Sequence, residues 1–305
     1  MTKVLITGIS GFIGKRLATY LYNKRYNVCG IDLNTNNNFN TERLDIINPI
    51  DKLPDHDLIV HLAGNADIGL SFNNPLYDFN NNVVGTINLL EYNRKHDNKP
   101  IIFASSYRVY PILKSQIHKY RTDLDGTRSI YGCSKLSIEL YLKEYYHLFE
   151  TPIIINRLSC IYGEGQKPNK QGWITLFIYN KIKGYPIEIS GDGKQIRDCL
   201  YIEDLLRLIE SQIKNIDKCN GNIYDIGGGT KNAFSLLEIV EFLDKEYSQY
   251  KPLSENIKKV PEGKSFRTYI SDLSDIEWLW KPEISIWDGI RRTARWYEEN
   301  ANTIV

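Results

Sequence analysis

The stretch "TKVLITGISGFIGKRL", residues 2–17, sets Gly8, Gly11 and Gly14 three apart directly behind the apolar run "KVLIT". A short apolar run, a glycine turn and then "FIGKRLATYLYN" read as strand, tight turn and helix. Glycines in such a turn let bare backbone approach a ligand at the helix N-terminus. There, unpaired N–H groups and the helix dipole favour negative charge, as in a dinucleotide pyrophosphate. The spacing is G-x-x-G-x-x-G rather than the commoner G-x-G-x-x-G, and a plain turn beneath a closely packed helix is the competing reading.

Outward from that turn the pattern repeats. "NVCGID" (27–32), "DLIVHLAG" (57–64), "PIIFASS" (100–106) and "TPIIINRLS" (151–159) read as short buried strands. Helical runs at 74–96 and 129–149 separate the last three. Alternation of this kind predicts an α/β fold, a doubly wound parallel sheet whose strands are apolar throughout because helices cover both faces. The asparagine-rich "NTNNNFN" (34–40) reads as a solvated loop. Past about residue 165 the alternation decays into turns and short strands such as "YPIEISG" (185–191), which predicts a smaller C-terminal domain. The boundaries read as 1–165 for the first domain, with part of 195–230 returning to it, and 166–305 mainly for the second.

Composition excludes several classes. The 305 residues carry 38 basic and 37 acidic side chains, a net charge of +1, so no broad field for nucleic acid or an anionic membrane exists. No apolar stretch reaches the roughly 20 residues needed to span a bilayer, and no signal-type leader opens the chain. A cytoplasmic location is the expectation. Five scattered cysteines, Cys29, Cys133, Cys160, Cys199 and Cys219, form no C-x-x-C pair, so they read as reduced packing residues and no metal site is expected.

Asp32 ends the second strand, 18 residues beyond Gly14. A carboxylate there accepts both adenosine-ribose hydroxyls and repels a 2'-phosphate, which selects NAD over NADP; a turn or capping aspartate is the alternative. Asp45 is a candidate partner for the adenine amino group. The pattern Y-x-x-x-K occurs five times, from Tyr20, Tyr110, Tyr131, Tyr179 and Tyr247. Only Tyr131 opens the helix after "IIFASS", whose C-terminal end presents Ser105 and Ser106 at the sheet edge where ligands bind. Lys135, one turn on, lies on the same helix face. Lowering a phenol's pKa from about 10 by roughly three units takes about 4 kcal/mol, the order that one ammonium at about 4 Å supplies. With Lys135 helped by the positive nicotinamide ring, Tyr131 is the expected base and Ser106 the residue that orients the substrate oxygen, with a strand-end capping serine as the competing reading.

These residues carry a resemblance. The chain resembles an extended short-chain dehydrogenase/reductase of the NAD-dependent nucleotide-sugar epimerase/dehydratase family, along nearly its whole length. "TGISGFIG" is similar to the cofactor turn, "HLAG" (61–64) to the third cofactor loop and "NVVGTINLLE" (82–91) to the central helix. "SSYRVY" (105–110) is similar to the serine strand, "YGCSK" (131–135) to the catalytic helix and "SGDGKQIRDCLYIEDL" (190–205) to the nucleotide-sugar segment. The resemblance implies a Rossmann-type sheet with a C-terminal substrate-binding domain, and Ser106, Tyr131 and Lys135 as the catalytic set. It implies NAD held by Gly8, Gly11, Phe12, Ile13, Gly14, Asp32, Asp45, Ile46, Leu62, Ala63, Gly64, Asn82, Tyr131 and Lys135. Ser106, Tyr107, Arg108, Trp173, Arg197 and Arg267 are implied around a nucleotide-diphosphate sugar, with Arg197 on the diphosphate and Asp204 beginning a buried helix.

Departures from the family narrow the reaction. Dehydratases carry an acid pair where this chain has Tyr107 and Arg108, so dehydration is not expected. Cys160 stands where relatives often have asparagine, and Glu262 stands where many have arginine, leaving Lys264 or Arg267 to substitute. "SSYRVY", "YGCSK", "IYGEGQKPNKQGW" and "ISGDGKQIRD" look most like the branch that epimerises CDP-linked deoxyhexoses at C2, with Gln171-Gly172-Trp173 the most particular element. UDP-sugar 4-epimerisation and 4-keto-sugar reduction are the enzymatic alternatives, and an NAD-binding sensor is the non-enzymatic one. The family's paired helices, here 82–92 and 131–149, imply a homodimer.

Overall fold

The computed structural model describes residues 1–35, 38–112, 126–168, 172–260 and 267–300. Its strands are β1 (Lys3–Thr7), β2 (Asn27–Asp32), β3 (Asn40–Arg43), β4 (Leu58–His61), β5 (Ile101–Ser106), β6 (Ile153–Leu158), β7 (Cys160–Tyr162), β8 (Ile187–Ser190), β9 (Ile196–Tyr201), β10 (Ile223–Ile226), β11 (Ala233–Ser235), β12 (Ile257–Val260) and β13 (Thr268–Tyr269). Seven of these form one sheet in the order β3-β2-β1-β4-β5-β6-β10, and every pairing in it is parallel. The sheet reverses direction of growth between β1 and β4, and ligands of open α/β sheets bind at the C-terminal edge of such a switch point.

The reason for continuous apolarity is visible in β1. Val4 and Ile6 enter one core layer and Leu5 the other, all fully buried. Helix α1 (Phe12–Asn23) packs Leu17, Ala18 and Leu21 into the first layer. On the opposite face lie α2 (Ile68–Asn73), α3 (Pro75–Phe79), a wider π turn over Asn80–Val84, α4 (Gly85–Lys95) and α5 (Ile130–Phe149), with Leu89, Leu90, Ile138 and Leu142 in the second layer. The helical run expected over 74–96 is thus interrupted by one π segment. Helix α5 matches its expected span, with Ser129 capping its N-terminus through Gly132 N–H.

Two features differ from the expectation. The loop assigned to 34–40 leads at once into β3, an edge strand of polar residues that pairs with β2 from Cys29 to Asp32. "NTER" has no apolar alternation; its backbone pairing, rather than its side chains, makes it a strand. Beyond β6, regularity persists in small sheets. β9 is flanked by β11 and β13 and also pairs with β7, while β12 pairs with β8. Helices α6 (Trp173–Lys183), α7 (Ile202–Lys214), α8 (Ile216–Cys219), α9 (Leu236–Glu246) and α10 (Ile286–Glu299) surround them. Asp204, fully buried in the first turn of α7, accepts the backbone N–H groups of Glu283 and Ile284 and so ties α7 to the approach of α10. Among the described residues no helix is long and apolar enough to cross a membrane.

Candidate active site

The glycine turn after β1 is built for close approach. Gly8 has φ +73°, and a side chain at Gly14 would put its Cβ 2.2 Å from the Gly8 carbonyl oxygen, so α1 starts hard against the strand that precedes it. Gly11 is the N-cap of α1, and no side chain covers the helix N-terminus. Asp32 stands across the turn, accepting from the backbone N–H of Ser10 at 2.9 Å and of Asn34 at 3.0 Å. A pocket of about 300 Å3 opens here, lined by Gly8, Gly11, Asp32, Asp45, Ile46, Leu62, Ala63 and Gly64 among others. It continues into a cleft of about 870 Å3 that reaches Phe12, Ile13, Gly14, Ser106, Tyr131 and Lys135. An uncapped helix N-terminus, bare glycine backbone and a carboxylate at a strand end fit the pyrophosphate and ribose of a dinucleotide.

A second cavity, about 800 Å3, lies toward the C-terminal part of the chain and is lined by Tyr107, Arg108, Cys160, Trp173, Gln195 and Arg197. Ser106 and Tyr131 line both this cavity and the dinucleotide-shaped cleft, whereas Lys135 lines the cleft alone. The junction depends on Gly132. A Cβ there would sit 2.2 Å from the Arg108 carbonyl oxygen, so only glycine lets the start of α5 press against the turn after β5. Ser106 also caps that turn, its Oγ accepting from Arg108 N–H at 3.3 Å. The serine thus caps the turn and also lines both cavities.

Burial acts against the charged forms of both Tyr131 and Lys135. The apolar surroundings push the Tyr131 phenol up to about 12, an effect that the Ser106 hydroxyl partly offsets and the Asp78 carboxylate reinforces. Burial also pushes the Lys135 amine down to about 8, against the pull of Asp78 and Glu139. Lys135 Nζ donates to the Ala104 carbonyl at 3.0 Å and lies 6.0 Å from the centre of the Tyr131 ring. Without bound cofactor, burial is the larger influence on the phenol and keeps it protonated.

Of the expected residues, Asn82 and Arg267 stand apart. Asn82 is buried behind Gly64, its Nδ2 donating to Asp78 Oδ1 and Ser134 Oγ, and it lines neither cavity. Arg267 makes a bidentate pair with Asp192 on the surface, away from the lining of the substrate-side cavity. Gln171, Glu262 and Lys264 lie outside the described residues. Sequence reasoning passed over Asp78, a fully buried carboxylate held at Oδ1 by Asn65 and Asn82, with Oδ2 without a partner among the described residues. The i,i+4 spacing of Asp78 and Asn82 was the available signal. It also passed over the Asp67–Leu70 segment, which borders both cavities.

The chain belongs to the NAD dependent epimerase/dehydratase family, whose model matches residues 4–227. It is 31% identical to the CDP-paratose 2-epimerase of Salmonella typhi, over 96% of this chain and 98% of that one. It is 32% identical to a putative UDP-glucose 4-epimerase of Methanocaldococcus jannaschii, over 98% of this chain and all of that one. Among solved structures, the UDP-glucuronic acid 4-epimerase of Bacillus cereus, in complex with UDP-glucuronic acid and NAD, superposes with a TM-score of 0.84 at 28% identity, covering 97% of this chain and 99% of that one.

Proposed function

We propose that the protein is an NAD-dependent epimerase of a nucleotide-diphosphate sugar, acting on a CDP-linked deoxyhexose in the manner of a CDP-paratose 2-epimerase. The observation that carries this reading is the junction: Ser106 and Tyr131 face a dinucleotide-shaped cleft and an arginine-lined cavity at once. NAD in the cleft would supply a two-electron acceptor that gives back what it takes, so no outside reductant enters the balance. Gly8, Gly11 and Gly14 would hold its pyrophosphate and Asp32 its adenosine ribose. Arg197, five per cent exposed on β9, would meet the sugar nucleotide's diphosphate, and Trp173 and Arg108 would border the sugar.

Tyr131 Oη takes the proton of the ring hydroxyl as the carbinol is oxidised, and returns it once the ketone has turned over in the cavity. Ser106 Oγ holds the same oxygen. Lys135, beside the Tyr131 ring, together with the positive nicotinamide ring of bound NAD, would offset the burial that otherwise keeps the phenol protonated. Tyr107 and Arg108 stand where dehydratases carry their acid pair, which disfavours loss of water. The likeness to a putative UDP-glucose 4-epimerase favours a second reading, inversion at C4 of a UDP-sugar.

Incubation with CDP-paratose and, separately, UDP-glucose in deuterated water, followed by proton NMR, tests both. Inversion at C2 of the CDP-sugar without deuterium at that carbon is the expected result. Deuterium there would refute return of the substrate's own hydrogen, and inversion of UDP-glucose alone would select the second reading. Tyr131→Phe should lower turnover by about 10²- to 10⁴-fold with nucleotide still bound. Undiminished turnover would refute the base assignment.

A further inference from the structure

Two thiols that the chemistry above does not use meet in the wall of the substrate-side cavity. β7 and β9 run parallel, and their register sets Cys160 directly opposite Cys199. In-register residues on neighbouring strands project from the same face of a sheet, so the two thiols are neighbours across the strand pair. Cys160 lines the cavity beside Trp173, Arg108 and Arg197. Cys199 is sealed in the core at 1% exposure. A reagent entering the cavity therefore reaches Cys160 directly, and Cys199 is reached only by its neighbour.

The environment separates the two sulfurs chemically. The neighbouring Cys199 thiol and the Arg197 and Arg108 guanidinium groups hold Cys160 below the ordinary thiol range although burial opposes this, while the Cys199 S–H donates to the Arg197 carbonyl at 3.8 Å. Burial drives Cys199 the other way and keeps it protonated. Adjacent strands lie about 4.8 Å apart, within the Cα separation of about 4.4–6.8 Å that a disulfide spans.

We propose that Cys160 is a hydroperoxide-reactive thiol in the substrate cavity and that Cys199 is its resolving partner, the pair closing to a disulfide between β7 and β9. The Cys160 thiolate attacks the peroxide O–O bond: an S–O bond forms, the O–O bond breaks, and the departing oxygen leaves as water when the oxidant is hydrogen peroxide. The Cys199 sulfur then attacks the resulting sulfenic acid. An S–S bond forms, the S–O bond breaks, and hydroxide leaves with the thiol proton as a second water. Two thiols and one peroxide thus become one disulfide and two waters.

The test treats the full chain with hydrogen peroxide, blocks free thiols with N-ethylmaleimide and maps peptides by mass spectrometry. Cys133, the exposed thiol, calibrates the dose, and buried Cys29 and Cys219 serve as unreactive references. The expected result is a 160–199 linked peptide that forms at least about ten-fold faster than Cys133 is oxidised. In Cys199→Ser, Cys160 should stop at a sulfenic acid trapped by dimedone. In Cys160→Ser, Cys199 should stay unmodified. Oxidation of Cys133 while Cys160 remains open to maleimide would overturn the proposal. So would wild-type protein that stops at dimedone-trapped Cys160 with no link, an arm that needs no variant to fold.

Discussion

Replacing Lys135 with methionine removes a buried amine whose pKa burial has lowered to about 8 from 10.5. Between these values the unfolded chain holds a proton that the folded chain has released, so stability climbs as pH rises from 8 to 10.5 and is lowest below 8. At about 1.4 kcal/mol per pKa unit, the charged amine costs the folded state about 3 kcal/mol at pH 7. Methionine has similar length and no charge. It forfeits the bond to the Ala104 carbonyl, worth about 1 kcal/mol, which leaves a net stabilisation of about 2 kcal/mol. For a chain of this length, with an unfolding entropy of about 2.1 cal/mol/K per residue, that is a rise in Tm of roughly 3 °C. Melts of nucleotide-stripped wild type and Lys135→Met, followed by circular dichroism at pH 7 and pH 10, measure it. The gap should be present at pH 7 and nearly vanish at pH 10, while turnover, if Lys135 has the role proposed for it, is lost at both. A variant no more stable than wild type at pH 7, or a gap that ignores pH, would refute the argument that burial sets the amine's charge.

Three further outcomes follow from the geometry. Gly14→Ala drives a Cβ to 2.2 Å from the Gly8 carbonyl oxygen, so it should lower stability by about 2 kcal/mol or more and abolish NAD binding, read by melting and by nucleotide titration. Asp32→Ser removes the carboxylate at the end of β2, and the ratio of NAD to NADP affinity should fall by at least about ten-fold in a competition titration. His61 is buried between Thr7 Oγ1 and Thr86 Oγ1, and burial lowers its pKa to about 3 from 6.5. The unfolded chain alone takes up that proton as pH falls from 6.5 toward 3, so stability drops across this window, by about 2 kcal/mol at pH 5. Urea midpoints should show a shallower acid slope in His61→Gln.

Local chemistry made the parallel sheet and its glycine turn readable in advance. Strands buried on both faces are apolar throughout, and a turn that brings the first helix hard against the preceding strand leaves no room for a Cβ at Gly8 or Gly14. Asp32 follows from its distance to that turn. The polar edge strand β3 left no such trace, since it exists through backbone pairing with β2. Five Y-x-x-x-K pairs also look alike along the chain. What brings Tyr131 to a double-faced junction is the press of Gly132 on the Arg108 carbonyl, a contact between residues 24 apart in the chain. Charge was the least legible. Coulomb attraction between Tyr131 and Lys135 can be imagined from spacing alone, but desolvation depends on everything packed around both groups, and in the folded chain it is the larger effect. Arg267 turning to Asp192, Asn82 withdrawing behind Gly64 and Cys160 meeting Cys199 are of the same kind: each pairing joins residues whose proximity the fold alone creates.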